Sequence, residues 1–228
     1  MPEKNSIKRY VEGGYYHIYN RGVNKRSIFK KKQDYKVFLN ELKAALTPLP
    51  NPNDLKVTVT LQGGSFKGIP RQPKNFHEEI TLLAYCLMPN HFHLLIKQLT
   101  RDSMQSFMRS ISTRYSMYFN KSNNRLGPLF QGVYKAVLVE HNHQFLHLTR
   151  YIHQNPLKFW EKSLKDYPYS SYAEYLGLRH THWIKEKEIL SFFKQRRREK
   201  TIDFSSYEAF VERQDETTKK VLTGLTLD

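Results

Sequence analysis

The stretch that decides the fold is Ala84–Gln98, AYCLMPNHFHLLIKQ. Two apolar runs flank Pro89 and Asn90, a pair that favours a tight turn. The pattern predicts two antiparallel strands, over about 80–88 and 91–97. Side chains alternate along a strand, so His91, His93 and Leu95 share one face and Phe92, Leu94 and Ile96 the other. The second set suits a core. The first then projects two imidazoles into open space, close enough together to hold one metal ion. The plain alternative is a pair of surface histidines on a half-exposed strand, so the metal reading needs partners.

A partner lies in Phe145–Pro156, FLHLTRYIHQNP. Phe145, Leu148 and Ile152 recur at i, i+3, i+7, the spacing of a helix face. His147, Tyr151 and Asn155 recur at i, i+4, i+8 along an adjacent stripe. Pro156 disfavours helical geometry at Asn155, so the helix is expected to end there. If this helix packs beside the histidine strand, the set is two imidazoles, an amide oxygen and a phenol. Those are the parts for nucleophilic attack on a phosphodiester. A metal held by His91, His93 and Asn155 polarises the phosphate, and Tyr151 forms the covalent intermediate. A phenol of pKa near 10 needs help to lose its proton, and His147, one turn earlier, is the candidate acceptor. The alternative for Tyr151 is a half-buried helix tyrosine, the usual role in a chain with 15 of them.

With these residues on the page, the chain resembles the HUH endonucleases, whose motif is His-hydrophobic-His. Within that superfamily it resembles the single-tyrosine transposases, most closely the REP-associated tyrosine transposases. The matching pieces are YYHIYNRGVNKRSIF at Tyr15–Phe29, AYCLMPNHFHLL at Ala84–Leu95 and SFMRSISTRYSMYFNK at Ser106–Lys121. GPLFQGVYKAVLVE at Gly127–Glu140, RYIHQNPLK at Arg150–Lys158 and YPYSSYAEYLG at Tyr167–Gly177 complete the series in the family's order.

Composition agrees. A formal charge of +16 over 228 residues points to a polyanion, nucleic acid first. No apolar run approaches the ~18 residues of a spanning helix, and the N-terminus, MPEKNSIKRY, has no apolar core of a secretory signal. One cysteine, Cys86, excludes an internal disulfide framework and a thiolate zinc cluster. The chain therefore reads as intracellular, and the resemblance adds cytoplasmic association with the nucleoid.

Taken in order, Tyr15–Asn20 alternates as a strand with His17 and Tyr19 on one face, and Arg21-Gly22-Val23-Asn24-Lys25-Arg26 is a basic turn. Gly22 permits close backbone approach or a left-handed turn. The resemblance makes Arg21, Asn24, Lys25 and Arg26 DNA contacts. An amphipathic helix follows over 33–46. Residues 51–79 read as a loop-rich insertion with room for one hairpin. A second helix, about 102–120, has a basic side that includes Arg114, either solvated or holding phosphate. The strand at Val133–Val139 follows. The resemblance places Phe130, Gln131, Tyr134 and Lys135 near the active-site DNA, and Arg150, beside Tyr151, is grouped with them; a structural role is the alternative for Phe130 and Lys135. The domain reading is 1–177 for the nuclease and 178–228 for a basic helical extension. That extension carries a helix candidate at Ile184–Phe193, the run Arg196-Arg197-Arg198, and a Ser205/Glu208 capping box. The basic run is either a solvated surface or a grip on the DNA backbone.

The expected fold class is α+β. The resemblance implies a ferredoxin-like HUH fold: an antiparallel sheet covered by helices on one face, with the other face open to single-stranded DNA, and a helical C-terminal extension. It implies Mg²⁺ or Mn²⁺ as cofactor, imidazole ligation favouring Mn²⁺. It implies single-stranded DNA hairpins as partners, with the protein a monomer or homodimer. The implied reaction is strand transfer through a 5′-phosphotyrosine. The competing readings are a non-catalytic single-stranded DNA- or RNA-binding protein on the same fold, and an HUH replication initiator or relaxase.

Overall fold

A computed structural model describes residues 8–199, 201–202, 204–213, 218 and 221–222. The N-terminal seven residues and the rest of the tail, including parts of the 178–228 extension, lie outside the described residues.

The chain runs β1 (Tyr15–Arg21), α1 (Lys32–Leu46), β2 (Val57–Leu61), β3 (Gly64–Gly68), β4 (Ile80–Met88), β5 (His91–Gln98), α2 (Ser103–Ser122), β6 (Lys135–Leu138), α3 (Asn142–Gln154), α4 (Tyr172–Tyr175), α5 (Glu186–Arg198) and α6 (Tyr207–Glu212). The main sheet has the order β4-β5-β1-β6, so the histidine strand β5 is central. All its pairings are antiparallel, as an α+β fold of this class requires. β2 and β3 pair only with each other and form the hairpin of the insertion, with Val57, Leu61 and Phe66 exposed.

Alternation delivers the two faces. Tyr16, Ile18, Phe92, Leu94 and Ile96 join Phe38, Leu42, Phe107, Ile111 and Tyr115 of α1 and α2 in one core. The opposite face is covered as well. Leu95, Ala84, Cys86 and Met88 pack with Leu148 and Ile152 of α3. β4 serves both cores because its side chains alternate, and the register shift between Leu82 and Ala84 re-phases that alternation: Ile80 and Leu82 before it and Tyr85 and Leu87 after it face the α1/α2 core. The open DNA-accepting face expected from the sequence is thus closed over β4 and β5 by α3.

The tail closes α3 from outside. Phe193, Tyr207, Phe210 and Val211 are buried in the same core as Leu148 and Ile152, so α3 lies between the sheet and the C-terminal helices. α6 is capped by Ser206, whose hydroxyl accepts from the Ala209 amide at 3.0 Å, one residue later than the Ser205 cap expected. Arg196, Arg197 and Arg198 form the last turn of α5, where positive charge complements the helix dipole.

His153 joins these layers. Its Nδ1 meets the Tyr207 hydroxyl at 3.0 Å and its Nε2 the Ser171 hydroxyl at 2.9 Å. Burial pushes this imidazole down to about 3. The unfolded chain takes up a proton near pH 6.5 and the folded chain does not, so its contribution is complete above pH 6.5 and lost as pH falls toward 3. Urea denaturation between pH 6 and 4 is expected to show wild type losing about 1.4 kcal/mol per pH unit more than His153→Gln. Equal slopes would show that His153 is not held neutral.

Candidate active site

β1 and β5 set the geometry. Their register pairs Tyr19 with His93 and Arg21 with His91, placing all four on the α3 side of the sheet. His17, paired with Leu95, stands diagonal to His93, a spacing that long or aromatic side chains bridge. Its Nε2 lies 2.9 Å from His93 Nδ1. His91 and His93 rings are 5.0 Å apart and perpendicular. From α3, the Tyr151 ring stands edge-on to His93 at 5.4 Å and to His17 at 6.0 Å. The structure therefore joins His91, His93 and Tyr151, and adds His17.

His93 is fully buried, not projecting into open space. Burial first, then the His17 and His91 rings and the Lys158 ammonium, holds its imidazole well below the ordinary histidine value, so it is neutral at pH 7. Its Nε2 atom is buried and has no hydrogen-bond partner. A buried polar atom without a partner is costly and calls for an explanation such as an ion. His91 is partly exposed, and its Nδ1 lies 2.6 Å from Asn90 Oδ1. Both histidines thus have Nδ1 engaged, the arrangement that orients metal-ligating imidazoles through Nε2.

Among the described residues, no group of three or more His, Cys, Asp or Glu side chains is arranged to hold a metal. A third protein ligand to a cation at His91 and His93 would have to come from another residue type. Asn155 lies one turn past Tyr151, buried, and its Nδ2 donates to the Tyr151 carbonyl at 2.8 Å. Its amide oxygen therefore points away from that carbonyl. α3 ends at Gln154 as expected, but Asn155 keeps right-handed helical angles (φ −50°, ψ −38°) and opens a 3-10 turn, Asn155–Lys158. Pro156 is accommodated early in that turn, where its missing N–H costs nothing. Lys158 is exposed at its end.

The basic turn after β1 borders the site. The Gly22 amide donates to the Asn90 carbonyl at 2.8 Å and Asn90 Nδ2 to the Lys25 carbonyl at 3.2 Å. Gly22 itself is not left-handed (φ −60°). A side chain is excluded there because a Cβ would sit 2.1 Å from the Arg26 carbonyl oxygen. Asn24 and Lys25 take the left-handed angles instead, and Asn24, Lys25 and Arg26 are exposed. Arg21 reaches the Gln131 side chain at 3.3 Å. Lys135 pairs with Tyr19 on β6, in line with His93 across the sheet.

Five expected site residues are placed elsewhere. His147 Nδ1 meets the Thr218 hydroxyl at 3.1 Å and its ring packs on Phe210, so it turns to the tail, a poor station for a proton acceptor from Tyr151. Arg150 is fully buried, its guanidinium 5.1 Å from the centre of the Phe210 ring, and cannot reach DNA there. Phe130 and Tyr134 are buried in the helix-side core, which rules out base stacking. Arg114 pairs with Glu41 of α1 on the side of the sheet away from the histidines. Two residues not anticipated for the site are His17 and Lys158. The alternation of Tyr15–Asn20 already put His17 on a definite face, but nothing local linked it to His93.

An antiparallel sheet with a His-Phe-His central strand, covered by a tyrosine helix, is the arrangement that the resemblance implied. Residues 72–155 match the model of the family described as transposase IS200 like, a span that encloses His91, His93, Tyr151 and Asn155. Among solved structures, a REP-associated tyrosine transposase bound to a REP hairpin superposes with a TM-score of 0.51 at 19% identity, covering 90% of this chain and 96% of that one. No curated protein matches the chain. The family match over residues 72–155 and the shared fold agree with the resemblance read from the sequence.

Proposed function

We propose that the protein nicks and rejoins single-stranded DNA bearing hairpins, by transesterification through Tyr151. The observation that carries this reading is the unpartnered, buried Nε2 of His93 beside the Tyr151 ring. It supports a cation site where a phosphate would meet the phenol. In the reaction the Tyr151 oxygen bonds to phosphorus and the bond to the 3′ oxygen breaks. The phenolic proton leaves to solvent, the departing 3′ oxygen takes up a proton, and a 5′-phosphotyrosine remains. A second 3′-hydroxyl reverses the step and joins new strands, since a phenolate is a better leaving group than an alkoxide. His91 and His93 through Nε2, with the Asn155 amide oxygen, would hold Mg²⁺ or Mn²⁺, which supplies Lewis-acid polarisation of the phosphate. Access is from the His91 edge, where the Arg21–Arg26 turn and Lys158 present cations to the strand. We place this activity in the cytoplasm, at the nucleoid.

Incubation with Mn²⁺ and labelled single-stranded hairpins taken from around the protein's own gene is expected to yield a protein–DNA adduct that survives denaturation. Tight binding without any adduct would favour the non-catalytic binding module.

The electrostatic contacts have their own signature. Affinity for single-stranded DNA is expected to fall by about 0.7 log units per log salt for each phosphate contact. Replacing Arg21, Lys25 and Arg26 together by Gln should flatten the slope by about 2. Replacing the exposed Arg197 and Arg198 should flatten it by about 1.4 if they too grip the backbone. An unchanged slope in the second case would leave those arginines only their place at the end of α5.

A further inference from the structure

The assignment of His91 and His93 as ligands leaves His17 unexplained. It is fully buried on the α3 side of β1, and burying an imidazole there costs free energy unless it is hydrogen-bonded. It touches both halves of the site. Its ring stacks on that of His93 at 5.1 Å with a 17° angle between planes, and lies 6.0 Å from the Tyr151 ring. It is also hydrogen-bonded to His93, Nε2 to Nδ1 at 2.9 Å.

Only one hydrogen can lie between those two nitrogens. If it belongs to His93 Nδ1, then His93 Nε2 carries a lone pair and can ligate. If it belongs to His17 Nε2, a neutral His93 must carry its proton on Nε2 and cannot. Nε2 is the atom that is buried and without a partner. A hydrogen there would be a buried donor with nothing to accept it, in the place where a ligand nitrogen is needed.

We infer that His17 is a positioning residue: as acceptor of the His93 Nδ1 hydrogen, it fixes the tautomer that presents His93 Nε2 to a divalent cation. This rests on the metal reading of the proposed function. His17 thus does for His93 what Asn90 Oδ1 does for His91, and both ligand nitrogens are set by groups outside the ligand set. The two devices differ in origin. Asn90 is the sequence neighbour of His91, whereas His17 comes from another strand, so metal binding is tied to correct pairing of β1 with β5.

The test uses the full-length protein with ¹⁵N-labelled histidine. Long-range ¹H–¹⁵N spectra of the metal-free wild type are expected to show His93 as the Nδ1–H tautomer, assigned by its loss in His93→Gln. His17→Phe, which fills the space and removes the acceptor, should shift His93 toward the Nε2–H form and weaken Mn²⁺ binding, read by electron paramagnetic resonance, by about 10–100-fold. His17→Gln, whose side-chain oxygen can accept the same hydrogen, should bind Mn²⁺ within about threefold of wild type. A wild-type His93 in the Nε2–H form overturns the inference even if no variant folds. So does a folded His17→Phe with unchanged tautomer. Wild type that binds no Mn²⁺ sinks the metal reading instead, and the tautomer, read without metal, still judges the role of His17.

Discussion

Tyr151→Phe is expected to eliminate the covalent protein–DNA adduct and to lower strand cleavage by at least about 10⁴-fold, as loss of a nucleophile does. Binding of the hairpin should stay within about twofold, because the phenol makes its bond only in the reaction. Tryptic mass spectrometry of the wild-type adduct should place the nucleotide on Tyr151. Three rivals give this experiment force. Tyr19 is buried with its ring 6.1 Å from that of His93. Tyr115 donates to the Ile28 carbonyl deep in the helix-side core, where burial pushes its phenol far up. Tyr118 donates to Asp34 at 3.0 Å on that same side. Of these four tyrosines, Tyr151 alone is both partly exposed and edge-on to His17 and His93. An adduct on Tyr19 would move the nucleophile from the helix to the sheet, and one on Tyr115 or Tyr118 would place the chemistry on the wrong face altogether.

His93→Gln and His91→Ala are expected to abolish cleavage, by roughly 10³-fold or more if the cation supplies the several kcal/mol typical of Lewis-acid assistance. Hairpin affinity should be little changed, since the cations proposed to meet phosphate are those of the Arg21–Arg26 turn and Lys158, and neither variant alters them. The two variants differ in risk. His93 is buried and bonded to His17, so its change should also lower stability, and Gln keeps most of the volume. His91 is partly exposed and its loss should leave the fold intact, which makes it the cleaner probe. Either variant cleaving at the wild-type rate in the presence of EDTA would remove the metal from the mechanism.

Much of this was legible in the chain because it depends on local periodicity. A period of two puts His91 and His93 on one face of β5 whatever surrounds them. A period near 3.6 puts Tyr151 one turn from Asn155. The basic turn, the exposed hairpin of the insertion and the helical tail likewise follow from neighbours in sequence. What periodicity cannot say is what covers a face. Phe130, Tyr134 and Arg150 have side chains that suit DNA, yet the first two are closed into the α1/α2 core and the third lies beneath Phe210. His147 shares the stripe of Tyr151, but a helix packed on both sides offers each residue a different neighbour, and its neighbour is Thr218. Arg114 is held by Glu41 from a helix about seventy residues earlier.

The sequence by itself therefore determined which side chains share a face, His91 with His93 on β5 and Tyr151 with Asn155 at the end of α3, since each is a matter of which residues repeat along one strand or one helix. Only the tertiary structure decided that His93 is buried under α3, that the tail clamps that helix, and that His17 meets His93 at 2.9 Å. Those facts depend on the register of β1 against β5 and on the packing of α3, which are set by the sum of many weak contacts across the whole chain and leave no mark in any short stretch of it.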